Sequence, residues 1–175
     1  MANREALREL QARLASRLQA ARSEGTSVSS WLAVESAGNF YLMPLGQSGE
    51  IFPWVPVQPV PYTQGWFLGV ANLRGRLMGV VDLAGLLGAG AVRSELTLAE
   101  SSLLAFNAAL DVNAALLVDR LAGLRGTDAF VASEPPAPGA PSFFGTTYID
   151  SNGTRWQELN LQVLSQHPAF LSISA

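Results

Sequence analysis

Hydrophobic positions near the start of the chain repeat at the spacing of an α-helix. Five apolar residues recur at steps of three and four: Leu7, Leu10, Leu14, Leu18 and Ala21. This spacing places them on one face of a helix over residues 4–22, while arginine and glutamate occupy the other face. Gly25 ends the pattern. The sequence therefore predicts a helical extension over residues 1–26, which either docks on its own domain or reaches out to a partner.

Beyond residue 30 the pattern changes to short apolar runs separated by turns rich in glycine and proline. The runs that predict strands are 31–34, 40–45, 50–57, 66–73, 77–83, 101–108, 114–121, 143–149 and 154–157. Helical patterns are limited to a turn at 83–87 and a short helix at 158–166, and the proline-rich stretch 133–142 predicts an exposed loop. Many short strands with terminal helices predict a mainly β fold of small barrels or a sandwich. Two similar groups of strands, at about 31–83 and 101–158, favour two barrels.

The central pair of apolar runs, within residues 65–88, predicts a β-hairpin. Gly75 lies between the runs and can adopt a positive φ at little steric cost, so the chain reverses there. Arg74 beside the turn and Asp82 in the returning strand carry opposite charges. We expect Arg74 and Asp82 to form a structural pair that fixes this hairpin.

Composition narrows the classes of function. Charged residues make up 14% of the chain, against about 25% in an average domain, so the surface is expected to offer uncharged contact faces. The net charge of −3 argues against nucleic acid as a partner, because binding it requires clustered positive charge. The chain has no cysteine, no apolar signal segment and no run long enough to cross a bilayer, which predicts a cytoplasmic protein without membrane insertion.

Candidate catalytic chemistry is sparse. The single histidine, His167, precedes Pro168 and is expected to act as a cation at a helix C-terminus rather than as a general base. The acidic residues are scattered, so we predict no enzyme activity, no metal site and no cofactor. A pocket lined by Asp82, Asp119 or Asp128 would instead favour a ligand-binding barrel or an enzyme that uses carboxylates. A purely structural assembly module is a third possibility.

The central stretch resembles the CheW family of chemotaxis scaffold proteins. The resemblance is carried by Gly69 to Gly75, reading GVANLRG, followed by Val80-Val81-Asp82-Leu83 and Leu87-Gly88. Further similar segments are Gly49-Glu50-Ile51, Ala115 to Arg120, Phe144-Gly145 and Leu159-Asn160-Leu161. Gly79, Ala115 and Asn160 stand where the family usually has proline, glycine and aspartate. Within the family the chain is most similar to the PilI type, from type IV pilus chemosensory systems.

This resemblance implies a non-catalytic adaptor built from two five-stranded SH3-like barrels. It implies a CheW-like domain over residues 27–175, with barrel subdomains near 31–90 and 95–158, either separate or intertwined. The implied partners are the regulatory domain of a CheA-like histidine kinase and the cytoplasmic tip of a chemoreceptor, which would sit in a groove between the barrels. By analogy, the partner-binding residues are Glu50, Ile51, Gly69, Asn72, Leu73, Arg74, Gly75 and Arg76. Arg74 would either contact a partner or only brace the hairpin.

Overall fold

The computed structural model describes residues 2–23, 30–90 and 92–175, with the side chains of residues 2 and 18–23 left out of the description. Within these ranges the chain folds into two β-sheets, with a long N-terminal helix and short helices elsewhere. No helix in the described residues is both long and apolar enough to span a membrane. The predicted mainly β fold with N- and C-terminal helices is confirmed.

The elements lie close to the predicted positions. The helices are α1 (Ala2–Ser23), α2 (Leu83–Leu86), α3 (Glu95–Glu100), α4 (Leu161–Gln166) and α5 (Pro168–Leu171). The first strands are β1 (Ser30–Ser36), β2 (Asn39–Pro44), β3 (Ser48–Pro53), β4 (Phe67–Leu73), β5 (Arg76–Asp82) and β6 (Ser102–Phe106). The later strands are β7 (Ala114–Val118), β8 (Arg120–Gly126), β9 (Phe130–Glu134), β10 (Phe144–Asp150) and β11 (Arg155–Leu159).

The two sheets are interleaved along the chain. The six-stranded sheet has the order β8-β1-β2-β11-β10-β9, and the five-stranded sheet has the order β3-β6-β7-β5-β4. Neighbours are antiparallel except for β2 with β11 and β5 with β7, which run parallel. The six-stranded sheet therefore takes strands from both ends of the chain. Strands from 31–90 and from 95–158 contribute to both sheets, and the subdomain bounds, separate or intertwined, stay a prediction.

One sheet has six strands where five were expected, because the pattern did not predict β8 and β9 as separate strands. β8 contains two glycines, and its other residues show no alternation of buried and exposed positions. Its strand geometry depends on the antiparallel pairing of β8 with β1, which includes a register shift between Ala33 and Val34. Pairing with a distant strand is tertiary information that local periodicity does not carry.

The five-stranded sheet closes on itself through the segment that follows β3. Gln58 forms two backbone hydrogen bonds with Val70 of β4, at 2.8 and 2.9 Å, so the chain leaving β3 at one edge reaches β4 at the other. Gly69, with φ +142°, makes this approach possible: a Cβ there would lie 2.3 Å from the carbonyl oxygen of Gln58. Gly69 is therefore explained by closure of the barrel.

The main hydrophobic core lies between the sheets and includes a residue from α1. Leu14, 6% exposed, belongs to the same buried cluster as Leu32, Ile51, Leu116 and Leu159. The cluster thus joins strands of both sheets with the N-terminal helix. Of the two predicted arrangements of this helix, the structure shows docking on its own domain.

Two short helices differ from the sequence prediction. α3 was not predicted, although Ser94 caps it by accepting a hydrogen bond from the backbone N–H of Thr97. Pro168 ends α4 as expected but also begins α5, since proline is well suited to the first turn of a helix. α4 is capped by Asn160, whose Oδ1 accepts a hydrogen bond from the N–H of Val163. Asparagine and aspartate cap helices equally well, so the departure at position 160 preserves the cap.

Candidate partner-binding surface

The predicted hairpin is present and turns at Arg74 and Gly75. Leu73 pairs with Arg76 across the turn, and the two central residues have φ values of 51° and 79°. Two consecutive positive φ values match a type I′ turn, whose twist suits the flanking strands. The N–H of Gly75 donates to Oδ1 of Asn72 at 2.8 Å, which holds the turn in this conformation. The tip of the hairpin is therefore a fixed structure that displays Arg74.

Arg74 pairs with Glu50 and not with Asp82, so the predicted structural pair is wrong. A guanidinium nitrogen of Arg74 lies 2.6 Å from a carboxylate oxygen of Glu50 in β3. Because the chain reverses at Arg74 and Gly75, Asp82 lies at the opposite end of the hairpin, opposite the start of β4. The length of β5 separates them, roughly 20 Å at the rise of an extended strand.

The Arg74–Glu50 pair is open to solvent. The Arg74 side chain is 77% exposed and that of Glu50 is 37% exposed. β3 and β4 are the two edges of the five-stranded sheet, so the pair spans the mouth of the barrel. Next to it, Arg76 donates to Oδ1 of Asn113 at 3.0 Å. A cleft of about 240 Å³ lies beneath, and its lining includes Glu50, Arg74, Arg76 and Asn107.

The eight residues proposed from the family resemblance divide by burial. Five are at least partly exposed at one end of the five-stranded sheet: Glu50, Asn72, Arg74, Gly75 and Arg76. The side chains of Ile51 and Leu73 belong to the hydrophobic core, and Gly69 is buried beside Gln58. A partner could thus touch the first five directly, whereas the other three support the surface from within.

A second ionic cluster lies at the boundary between the sheets, and its central residue was not predicted. Arg93, in the loop before α3, pairs with Asp82 at 2.7 Å and also with Asp119. Oδ2 of Asp119 accepts a hydrogen bond from the N–H of Ala37, in the β1–β2 turn, at 2.6 Å. Through Arg93 the five-stranded sheet is therefore joined to a turn of the six-stranded sheet. The two aspartates lie in quoted family motifs, but no local pattern marks Arg93.

Asp82 also lines a larger cleft, and a pocket lined by this residue is what a ligand-binding barrel would need. This cleft of about 730 Å³ is lined mainly by apolar and small residues, including Trp54, Trp66 and Leu98, with Arg93 on its wall. Asp128, the third candidate carboxylate, is exposed in the turn before β9 and does not line this cleft. Because Asp82 and Asp119 share the single guanidinium of Arg93, only one of their two negative charges is offset in place.

His167 is the C-cap of α4, at a helix C-terminus as predicted, and it is also the N-cap of α5. In the N-cap position, Nδ1 accepts a hydrogen bond from the N–H of Ala169 at 3.1 Å. Its ring packs edge-on against Phe143 at a centroid distance of 5.0 Å. Nδ1 therefore satisfies a backbone donor at the start of α5, which gives His167 a capping role there. In the part of the chain that the structure describes, no cluster of histidine and acidic side chains is suited to a metal ion.

Comparison with known proteins bears directly on the predicted resemblance. The sequence model of the family described as CheW-like domain matches residues 30–169. Protein PilI from Pseudomonas aeruginosa is 31% identical over 155 residues, covering 85% of this chain and 83% of that protein. The crystal structure of scaffolding protein TtCheW from Thermoanaerobacter tengcongensis has a TM-score of 0.61 with 18% identity. The match covers 81% of this chain and 95% of that one.

The family match begins at the first residue of β1 and ends within α5, so it includes both sheets and leaves α1 outside. The fold similarity to TtCheW covers nearly all of that smaller chain, which agrees with the architecture of two SH3-like barrels. The resemblance inferred from the NLRG hairpin is confirmed by the family model and by PilI. The chain belongs to the CheW-like domain family.

Proposed function

We propose that this protein is a non-catalytic adaptor that couples a chemoreceptor to a CheA-like histidine kinase in a type IV pilus chemosensory system. The observation that carries this proposal is the exposed Arg74–Glu50 pair, held on a rigid hairpin tip in a chain of the CheW-like domain family. The similarity to PilI supports the assignment to pilus control. The adaptor works in the cytoplasm and reaches receptor arrays through its partners.

The Arg74–Glu50 surface is proposed as the contact for the kinase regulatory domain. Arginine is favoured in interfaces because its planar group combines several donors with an apolar face. An exposed pair contributes little to folding, so its carboxylate and guanidinium can exchange partners at small cost when a second protein arrives. Arg76 and Asn72, on the same end of the sheet, extend the polar rim of this surface.

A binding titration with the regulatory domain of the CheA-like kinase tests the proposal. We expect Arg74→Ala and Glu50→Gln each to weaken binding by about tenfold or more, the loss typical of a charged residue at the centre of an interface. Arg155→Ala is the matched control, because Arg155 pairs with Glu134 at a similarly exposed site in the six-stranded sheet. The absence of any complex at high micromolar concentration would overturn the proposal.

A second candidate function is favoured by the cleft of about 730 Å³ that Asp82 lines. In this case the protein would bind a small, largely apolar ligand between Trp54 and Trp66. A thermal-shift screen of uncharged aromatic compounds, read beside the tryptophan fluorescence, distinguishes the two functions. A saturable shift that Trp66→Ala removes, in a protein that shows no kinase binding, would favour the ligand over the adaptor.

A further inference from the structure

α1 lies across the boundary between the two sheets. It packs against β3 in the five-stranded sheet, against β8 in the six-stranded sheet and against the short turn Leu45–Gln47 that precedes β3. These three elements form what we call the inter-sheet groove. Gln11 of α1 donates a hydrogen bond from Nε2 to the hydroxyl of Ser102 in β6, at 2.7 Å. The helix thus occupies a surface to which both sheets contribute.

Between residues 3 and 17, the docking of α1 rests on few buried side chains. Of the described side chains between Asn3 and Arg17, only Gln11 and Leu14 are buried. Leu7 is partly buried, and Leu10, on the same apolar stripe, is 49% exposed. By contrast, the six-residue helix α4 buries Leu161, Leu164 and Ser165. Over its described side chains, residues 3–17, α1 is thus held by two fully buried residues, which is a weak attachment for a segment of this length.

The charges of α1 do not tie it to the rest of the domain either. The ion pair that α1 makes among the described residues, Arg13 with Glu9 at 2.5 Å, lies within the helix. The exposed arginines Arg4, Arg8 and Arg17 face outward. The helix therefore keeps its own intrahelical pairing whether it is docked or released. Among the described side chains of α1, loss of the docked state removes mainly the burial of Leu14 and the bond from Gln11 to Ser102.

We propose that the inter-sheet groove is a helix-docking site and that α1 is its resident occupant, which a helix of the receptor must displace. This inference rests on the proposed function, since the receptor is the expected partner of the groove between the barrels. The groove already accommodates a helix, so a helix is the partner shape that fits it. The incoming helix would supply an apolar side chain in place of Leu14 and, one turn earlier, a donor for Ser102.

Displacement makes α1 a built-in competitor. The apparent affinity for the receptor is reduced by the fraction of molecules in which the groove is free. Changes that loosen α1 should therefore strengthen receptor binding, which is the opposite of the effect expected if α1 formed part of the binding surface. Tighter receptor binding by a loosened variant indicates that α1 competes with the receptor, and weaker binding indicates that α1 is part of the binding surface.

The experiment measures binding of the full chain to a purified cytoplasmic fragment of a chemoreceptor from the same organism. We expect Leu14→Ser to lower the dissociation constant for the fragment by about fivefold or more relative to the wild type. Gln11→Ala should lower it as well. Ala12→Ser is the control, because it places serine at an exposed position of the same helix. Gln11→Ala also serves as the second variant if Leu14→Ser proves poorly folded by thermal melting.

Hydrogen exchange supplies an independent readout on the unmodified protein. On addition of the receptor fragment, amides of α1 should exchange faster as the helix is released, while amides around Ser102 remain protected. Equal or weaker binding by both loosened variants, or unchanged α1 exchange in the complex, would overturn the competitor role while leaving the adaptor function intact. No binding by any of the proteins would overturn the receptor coupling itself and this inference with it.

Discussion

Arg74 and Arg93 both pair with carboxylates of the same sheet, but in opposite surroundings. Arg74 is 77% exposed and meets Glu50 at the hairpin tip, whereas the Arg93 side chain is 11% exposed and meets Asp82, itself 10% exposed. Water screens the first pair almost fully and the second hardly at all. The first pair is available to a partner, and the second ties the loop before α3 to the end of β5.

The difference shows why an ion pair cannot be assigned a role from charge alone. A buried pair repays the loss of hydration only while both members are present, so removing one leaves a charge that the interior does not solvate. An exposed pair can be removed with little effect on folding. We therefore expect changes at Arg93 to act on stability, and changes at Arg74 to act on binding.

The largest effect is expected at Arg93. Arg93→Ala leaves Asp82 buried without its cation, which should lower the free energy of unfolding by about 3 kcal/mol. Arg93→Lys keeps the charge but cannot reach both Asp82 and Asp119 with the same planar geometry, so it should recover only part of the loss. Urea denaturation measures both variants. A change within about 0.5 kcal/mol for Arg93→Ala, the size of an ordinary surface substitution, would contradict the contrast between the two arginines.

A smaller loss of stability is expected from substitutions at two glycines, Gly69 in β4 and Gly75 in the hairpin turn. Gly69→Ala should cost about 2 kcal/mol or more, since its Cβ would collide with the Gln58 carbonyl at a φ of +142°. Gly75→Ala should cost only about 1 kcal/mol, because its φ is +79° and no atom lies within 4 Å of the added carbon. Thermal melting of the two variants should rank them in this order. The reverse order would show that the turn, not the barrel closure, limits stability.

Asp150 offers a third case, a carboxylate held by hydrogen bonds instead of by an ion pair. Asp150 accepts hydrogen bonds from the N–H groups of Asn152 and Thr154 and from Nε1 of Trp156. These bonds, with that from Trp156 foremost, lower the pKa of Asp150. A lowered pKa stabilises the fold above the ordinary range of aspartate, and this contribution is lost as the pH falls through the folded-state pKa.

Asp150→Asn should therefore be less stable than the wild type at pH 7, and the difference should shrink as the pH falls below about 4. Denaturation midpoints measured across this range provide the test, with Asp111→Asn in an exposed turn as the control. A difference that stays constant with pH would mean that shape, not charge, makes Asp150 important.

The smallest effect on stability is expected at Arg74. Arg74→Ala should change the free energy of unfolding by about 1 kcal/mol or less, because exposed pairs contribute little. The same variant should lose kinase binding, as proposed above. If Arg74→Ala lowers the free energy of unfolding as much as Arg93→Ala does, Arg74 braces the hairpin and the loss of binding is a consequence of lost stability. Unchanged stability together with unchanged binding would remove Arg74 from the proposed surface.

The local elements were predictable because their information lies within a few residues. The apolar stripe from Leu7 to Ala21 marked α1, and Gly75 between two apolar runs marked the hairpin. The family resemblance was predictable for the same reason, since the NLRG segment forms one continuous turn and strand. β8 and α3 were missed because glycines and exposed residues in them give weak periodic patterns.

The sequence by itself determined a mainly β chain with an N-terminal amphipathic helix, a reversal at Gly75 and membership of its family. It did not determine that Arg74 meets Glu50, that Arg93 joins Asp82 to Asp119, or that Gln11 reaches Ser102, 91 positions away. Those contacts connect segments whose separation in the chain says nothing about their distance in space. Only the closure of the barrel and the interleaving of the two sheets bring these side chains together, because hydrophobic burial acts on the chain as a whole.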